Sequence, residues 1–182
     1  FLSAWSNVQR RQDIFLAGTS EIDNTDWVIS MGNFMGLLDK DWLGLPASRK
    51  ITFLRYADFN CVKNGKIVRS SFFCDIISVM NQLGINPLPP ETGTSFIYPG
   101  PRTHDGLLFD QQNHIESKKT LDLVNKMIGD LSNLNKTGND CPPPDLLRKT
   151  WHDNMVWYGP SGIGASYTIP RYQEQHQYPF RK

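Results

Sequence analysis

Apolar and polar positions alternate through the first half of the chain, and only later do they fall at three- and four-residue spacing. Residues 12–18 (QDIFLAG) and 26–34 (DWVISMGNF) are rich in aromatic and β-branched side chains, and the polar SEIDNT between them reads as a turn, so strands are expected on both sides. Residues 51–62 (ITFLRYADFNCV) and 66–74 (KIVRSSFFC) form a second pair around Asn64-Gly65. Asn-Gly between such runs predicts a type I′ hairpin, because that turn needs positive φ at both central positions. With those residues as the loop, Val62 faces Ile67, Asn60 faces Arg69, Asp58 faces Ser71, Tyr56 faces Phe73 and Leu54 faces Asp75. Side chains alternate between the faces of a strand, so these pairs are expected on one face. The other face then carries Phe53, Arg55, Ala57, Phe59 and Cys61 with Val68, Ser70, Phe72 and Cys74. A bulge would break this register.

The pattern then changes. Residues 76–83 (IISVMNQL) predict a short helix with Gly84 as its C′ residue. Residues 85–114 carry Pro87, Pro89, Pro90, Pro99 and Pro101 and read as a proline-rich linker. Over 115–134, Leu121, Val124, Met127, Ile128, Leu131 and Leu134 line one side of an amphipathic helix. Asn139 to Pro144 breaks it, and residues 145–151 read as a short helix with Asp145 near its start. Residues 153–158 (DNMVWY) predict a strand, 159–164 (GPSGIG) a glycine turn, and 170–177 a helix opening on Pro170.

At 182 residues the chain is long enough for one domain with a substantial core, or two small ones. A net charge of +1 without a basic run lacks the electrostatic footprint of a nucleic-acid binder. No apolar run is long enough to span a bilayer and no signal peptide is visible, so a cytoplasmic protein without a membrane partner is expected. Cys61, Cys74 and Cys141 are odd in number and widely spaced, which argues against a disulfide framework and fits a reducing compartment. The four histidines show no metal-ligand spacing, and GPSGIG lacks the Lys-Ser/Thr ending of a phosphate loop.

The chemistry-bearing candidate is Asp75, an acid among Phe72, Phe73, Ile76 and Ile77 at the junction of strand and helix. Two readings are open. As an N-cap it accepts backbone N–H bonds, which lower a carboxylate pKa. Buried in an apolar pocket it is instead raised, by up to about 3–5 units, and suited to proton transfer.

The strand, the Asn64-Gly65-Lys66-Ile67 turn and the segment from Asp75 to Gln82-Leu83-Gly84 together resemble the end of the SnoaL-like polyketide cyclase family in the NTF2-like superfamily. Gly32 to Gly36, followed by Leu43-Gly44-Leu45-Pro46-Ala47-Ser48-Arg49, is similar to that family's glycine-bearing loop, and Trp157 to Gly164 and His176 to Phe180 are similar to its early strand and helix. The order differs: the early pieces come last here. The pieces form one set without duplication, so one cone over 1–182 in permuted order is expected; the alternative is the end of one domain over 1–108 and the start of another over 109–182.

The resemblance implies an α+β cone, a curved antiparallel sheet wrapped around helices and enclosing an apolar pocket, with no metal or organic cofactor, and a homodimer, with elements exchanged between copies as one way to complete a cone. It implies acid/base chemistry on a carbonyl-bearing small molecule, an intramolecular aldol ring closure or a related isomerisation, with Asp75 as the catalytic residue. Tyr56 and Asn33 would hydrogen-bond the substrate; Leu54, Phe73, Trp27, Trp157 and His176 would line its pocket. Asn33 stands where many relatives carry histidine, which removes a titrating group. The alternative function is a non-catalytic binding module for a hydrophobic small molecule, with Asp75 a cap. An epoxide-hydrolase type would need an Asp-Arg-Asp cluster that the sequence does not assemble.

Overall fold

A computed structural model describes residues 1–95, 98–137 and 142–180. The architecture is α+β, and the chain divides into two compact units, Phe1–Pro87 with Ile97–Asp110, and Leu88–Phe96 with Gln111–Lys182. Cys141 lies outside the described residues; Cys61 and Cys74 are free thiols. Among the described residues no helix is long and apolar enough to cross a membrane.

The first unit is an antiparallel meander of β1 (Trp5–Thr19), β2 (Asp26–Leu38), β3 (Ile51–Lys63) and β4 (Lys66–Cys74), in that spatial order. The expected hairpin forms: Asn64 (φ 51°) and Gly65 (φ 69°) both hold positive φ, and Lys63 pairs with Lys66 and Val62 with Ile67. Beyond that the expected register fails. A bulge leaves Val68 without an opposite residue, so Cys61 pairs with Arg69, Asn60 with Ser70, Asp58 with Phe72, Ala57 with Phe73 and Tyr56 with Cys74. A single-residue slip moves each side chain of β4 to the opposite face. Phe72, not Phe73, therefore lies beside Tyr56, with their rings 6.2 Å apart and nearly parallel. Phe73 meets Phe59 edge-on at 6.0 Å.

β1 carries two further irregularities, between Ser6 and Gln9 and between Gln12 and Ile14. The second makes Asp13 an extra residue opposite β2. Gly32 sits where the bulged backbone comes close; a Cβ there would lie 2.0 Å from the Arg11 carbonyl oxygen. Glycine inside a strand commonly marks such an approach.

After β4 the chain turns into α1 (Ile76–Gln82), which ends with Gly84 at φ 78°. Its apolar side meets the core of Ala4, Trp5, Leu38, Leu45, Leu54 and Val79, flanked by Ile76, Met80 and Leu83. Gln82 also continues the sheet: its side-chain amide accepts from the Phe53 N–H and donates to the Phe53 carbonyl, both at 2.8 Å. A side chain thus occupies the place a further β4 residue would have taken.

Residues 98–110, expected as linker, form a strap against β1. Phe15 donates its N–H to the Gly106 carbonyl and accepts from Leu108 N–H, each at 2.8 Å.

The second unit contains α2 (His114–Thr137), α3 (Pro144–Leu147), β5 (Val156–Trp157), β6 (Ser166–Tyr167) and α4 (Ile169–Tyr172), which runs on into a π-helical turn over Gln173–Gln177. Asn113 caps α2 by accepting from the N–H groups of Ile115 and Glu116. The core is Leu147, Ile169 and Tyr172, with Leu131, Trp151, Met155 and Trp157 against it. Of the expected α2 stripe, Leu131 reaches this core, whereas Leu121, Val124 and Ile128 are exposed. The GPSGIG segment is a tight turn, held by Glu91, whose carboxylate accepts the Gly162 N–H at 2.9 Å, and by paired backbone bonds between Thr94 and Ala165.

Candidate functional site

Each face of the four-stranded sheet carries its own polar cluster, because residues two apart along a strand point the same way. On the face covered by α1, Leu54 and Tyr56 are almost completely buried. The Tyr56 hydroxyl accepts from Arg10 Nε at 2.9 Å and shares a 3.2 Å hydrogen bond with Ser30, which in turn accepts from Gln12. Arg10 also pairs with Asp58 at 3.0 Å. Phe34 packs on the Tyr56 ring at 4.6 Å. The hydroxyl is hydrogen-bonded within the fold and the residue is buried, which makes it a core group.

Asp75 lies elsewhere. The expected register puts it beside Leu54 and Tyr56, but the Val68 bulge places it against Arg55, on the opposite side: Asp75 N–H donates to the Arg55 carbonyl at 3.0 Å. One carboxylate oxygen caps α1 by accepting the Ser78 N–H at 2.9 Å. The other meets the Arg55 guanidinium at 2.9 Å, with both side chains largely buried. The guanidinium stacks on the Tyr98 ring of the strap at 4.6 Å. Both carboxylate oxygens thus have partners within the fold.

The same face carries a row across the sheet. Arg11 pairs with Asn33, and Asn33 with Arg55. Beside Arg11 the bulge presents Asp13, half-buried under the strap. A Cβ on Gly100 would lie 2.5 Å from an Asp13 carboxylate oxygen, and one on Gly106 2.6 Å from its carbonyl. Burial pushes the Asp13 carboxyl above the usual range, against the opposing pull of the Arg11 and His104 charges and a hydrogen bond from Asn33. It is the one carboxyl among the described residues held upward. Trp27 and Phe73 belong to this face by register, Trp27 under the Arg69 guanidinium at 4.9 Å. Met31 and Met35 share it, and Met35 sulfur accepts from Arg11.

In the second unit Trp157 and His176 do come together. Their rings stack at 4.1 Å, and Tyr172 and Phe180 lie against His176 at 5.2 and 5.6 Å. Of the candidates read from sequence, Asn33, Trp27, Phe73 and Asp75 thus share one face, Tyr56 and Leu54 the other, and Trp157 and His176 form a separate aromatic group. Among the described residues no cluster of His, Cys, Asp and Glu could hold a metal ion.

Sequence reading missed Asp13, Arg11 and His104. The available signal was an acid inside the otherwise apolar run QDIFLAG, where alternation alone does not place it. Compared with family models, curated proteins and solved structures, the chain matches none.

Proposed function

We propose that the first unit binds a hydrophobic, carbonyl-bearing small molecule on the face that holds Asn33, and that Asp75 belongs to its scaffold. The supporting observation is the double engagement of the Asp75 carboxylate, by the Ser78 amide and by Arg55. A carboxylate whose two oxygens are both bonded within the fold is poorly placed to meet a substrate. This favours the binding reading of the SnoaL-like resemblance, in which the sheet is part of an NTF2-like cone and no cofactor is called on. The polar end of the site is Asn33 and Arg11: an asparagine amide has two N–H donors, so Asn33 can bond Asp13 and still donate to a carbonyl oxygen. Met31, Met35 and Phe73 supply apolar surface for the rest, whereas Trp27, six residues along β2 from Asn33, lies about 20 Å away and outside this site.

The test is binding of 1-tetralone, an aromatic bicyclic ketone, followed by ligand-observed NMR. Asn33→Leu is expected to weaken binding about tenfold, the value of one net hydrogen bond. Asp75→Asn is expected to leave the affinity in place. Loss of binding in a folded Asp75→Asn protein would make that carboxylate a ligand group and end this reading.

A further inference from the structure

The two edges of the four-stranded sheet differ. At β1 the strap covers the edge, with Phe15 exchanging backbone bonds with Gly106 and Leu108. β4 is the last strand in the sheet order, and all nine of its residues are exposed. Ile67, Val68, Phe72 and Phe73 are each more than half open to solvent. Among the described residues no further strand or bridge pairs with this edge. A long open edge carrying apolar side chains is a template for another strand.

The order of residues in β4 says which strand fits. Outward from Ser70 in both directions come Arg69 and Ser71, then Val68 and Phe72. Laid antiparallel on a second copy about Ser70, the strand sets Ser70 against Ser70, Arg69 against Ser71 and Val68 against Phe72. Apolar residues then meet apolar ones, an aromatic with a β-branched side chain, and no cation stands opposite a cation. A centre at Arg69 would oppose two guanidinium groups, and one at Ser71 would set Arg69 against Phe73. Val68, Ser70 and Phe72 are two residues apart and share a face, the one where Phe72 lies beside Tyr56. Arg69 points the other way, paired with Asp23 and over the Trp27 ring. The bulge ends the regular run, so the match extends from Val68 to Phe72.

We propose that two copies of this chain form a two-fold dimer through β4, edge to edge, so that their sheets continue into one another. No element is exchanged: each copy keeps its own fold, and the contact is a ladder of backbone hydrogen bonds flanked by two Val68–Phe72 pairs. This surface is separate from the ligand face proposed above and does not depend on it. A contact this short falls at the small end of protein interfaces, so the dimer is expected to form reversibly, at micromolar concentrations or above.

The experiment is sedimentation velocity on the full chain from about 1 μM to about 1 mM, with NMR at the upper end. Within one strand Val68 and Phe72 stand about 13 Å apart. A nuclear Overhauser contact between the Val68 methyls and the Phe72 ring therefore arises only between copies, and it is expected in the parent protein. Ser70→Asp and Ser70→Lys each set like charges across the two-fold axis and are each expected to weaken the dimer about fivefold. An equimolar mixture of the two should recover the parent's affinity, a result that damage to the fold cannot produce. A chain that stays monomeric throughout overturns the inference. A dimer without the Val68–Phe72 contact also overturns it, as does one that the Ser70 variants leave unchanged or that their mixture fails to restore.

Discussion

Asp75 Oδ2 lies 2.9 Å from the Arg55 guanidinium, and this pairing ties the end of β4 to the strand beside it at the point where α1 begins. One carboxylate therefore serves two structural ends, a helix cap and a cross-strand ion pair. Removing it should show both.

Asp75→Ala loses both the cap and the ion pair with Arg55. A cap of this type contributes about 0.5–2 kcal/mol, and breaking a largely buried ion pair adds to the loss. Asp75→Asn keeps a good capping residue but not the charge. Thermal denaturation should rank the proteins parent, then Asn, then Ala, the gap between the two variants reporting the cap alone. Equal melting temperatures for Asn and Ala would mean that the Ser78 bond contributes nothing.

Deleting Val68 removes the bulged residue; Arg69 then follows Ile67 directly and still stands opposite Cys61, so every later pair of β3 and β4 keeps its partner. Nuclear Overhauser contacts from the Tyr56 ring should stay on Phe72, and Asp75 should still meet Arg55. Contacts that move to Phe73 would show that Val68 is not the residue the bulge sets aside.

Gln82→Leu withdraws the amide that completes the hydrogen bonding of Phe53. The expected cost is about 1 kcal/mol, since this edge is partly open to water. Amide hydrogen exchange at Phe53 should accelerate, while exchange at Tyr56, deeper in the sheet, should change little.

Asp13 gives a pH dependence of definite sign. Its carboxyl is held above the unfolded value, so the folded state favours the protonated form. The associated stability is fully present below about pH 3.9, the ordinary aspartate value, and is lost as pH rises through the folded titration. Asp13→Asn, which cannot ionise, should match the parent in acid and become progressively more stable than it toward neutrality. Urea unfolding at a series of pH values measures this; a difference constant with pH would show that burial does not disfavour the charge.

Several of these features were legible before any coordinates. Asn64-Gly65 announces its turn because so few residues accept positive φ twice in succession. The span of β4, the short helix after it and the glycine that ends it follow from equally local preferences, as does α2. The inner members of the α2 stripe were not legible: spacing shows which residues share a side of a helix, but not how far a neighbour extends along it. Leu131 is covered and Ile128 is not for that reason.

What the amino-acid order determined by itself is the presence of the four long strands, and the turn that makes β3 and β4 an antiparallel pair, because these depend on neighbours in the chain. What tertiary structure decided is the face on which each candidate residue lies. Alternation has a period of two, so the Val68 bulge alone exchanges Phe72 for Phe73 beside Tyr56 and carries Asp75 to Arg55. The Asp13 bulge, fitted against Gly32 and covered by the strap, sets an acid into a half-buried place in the same way. Bulges arise from how one strand must bend to suit its partners, and that condition is written in the packing of the sheet.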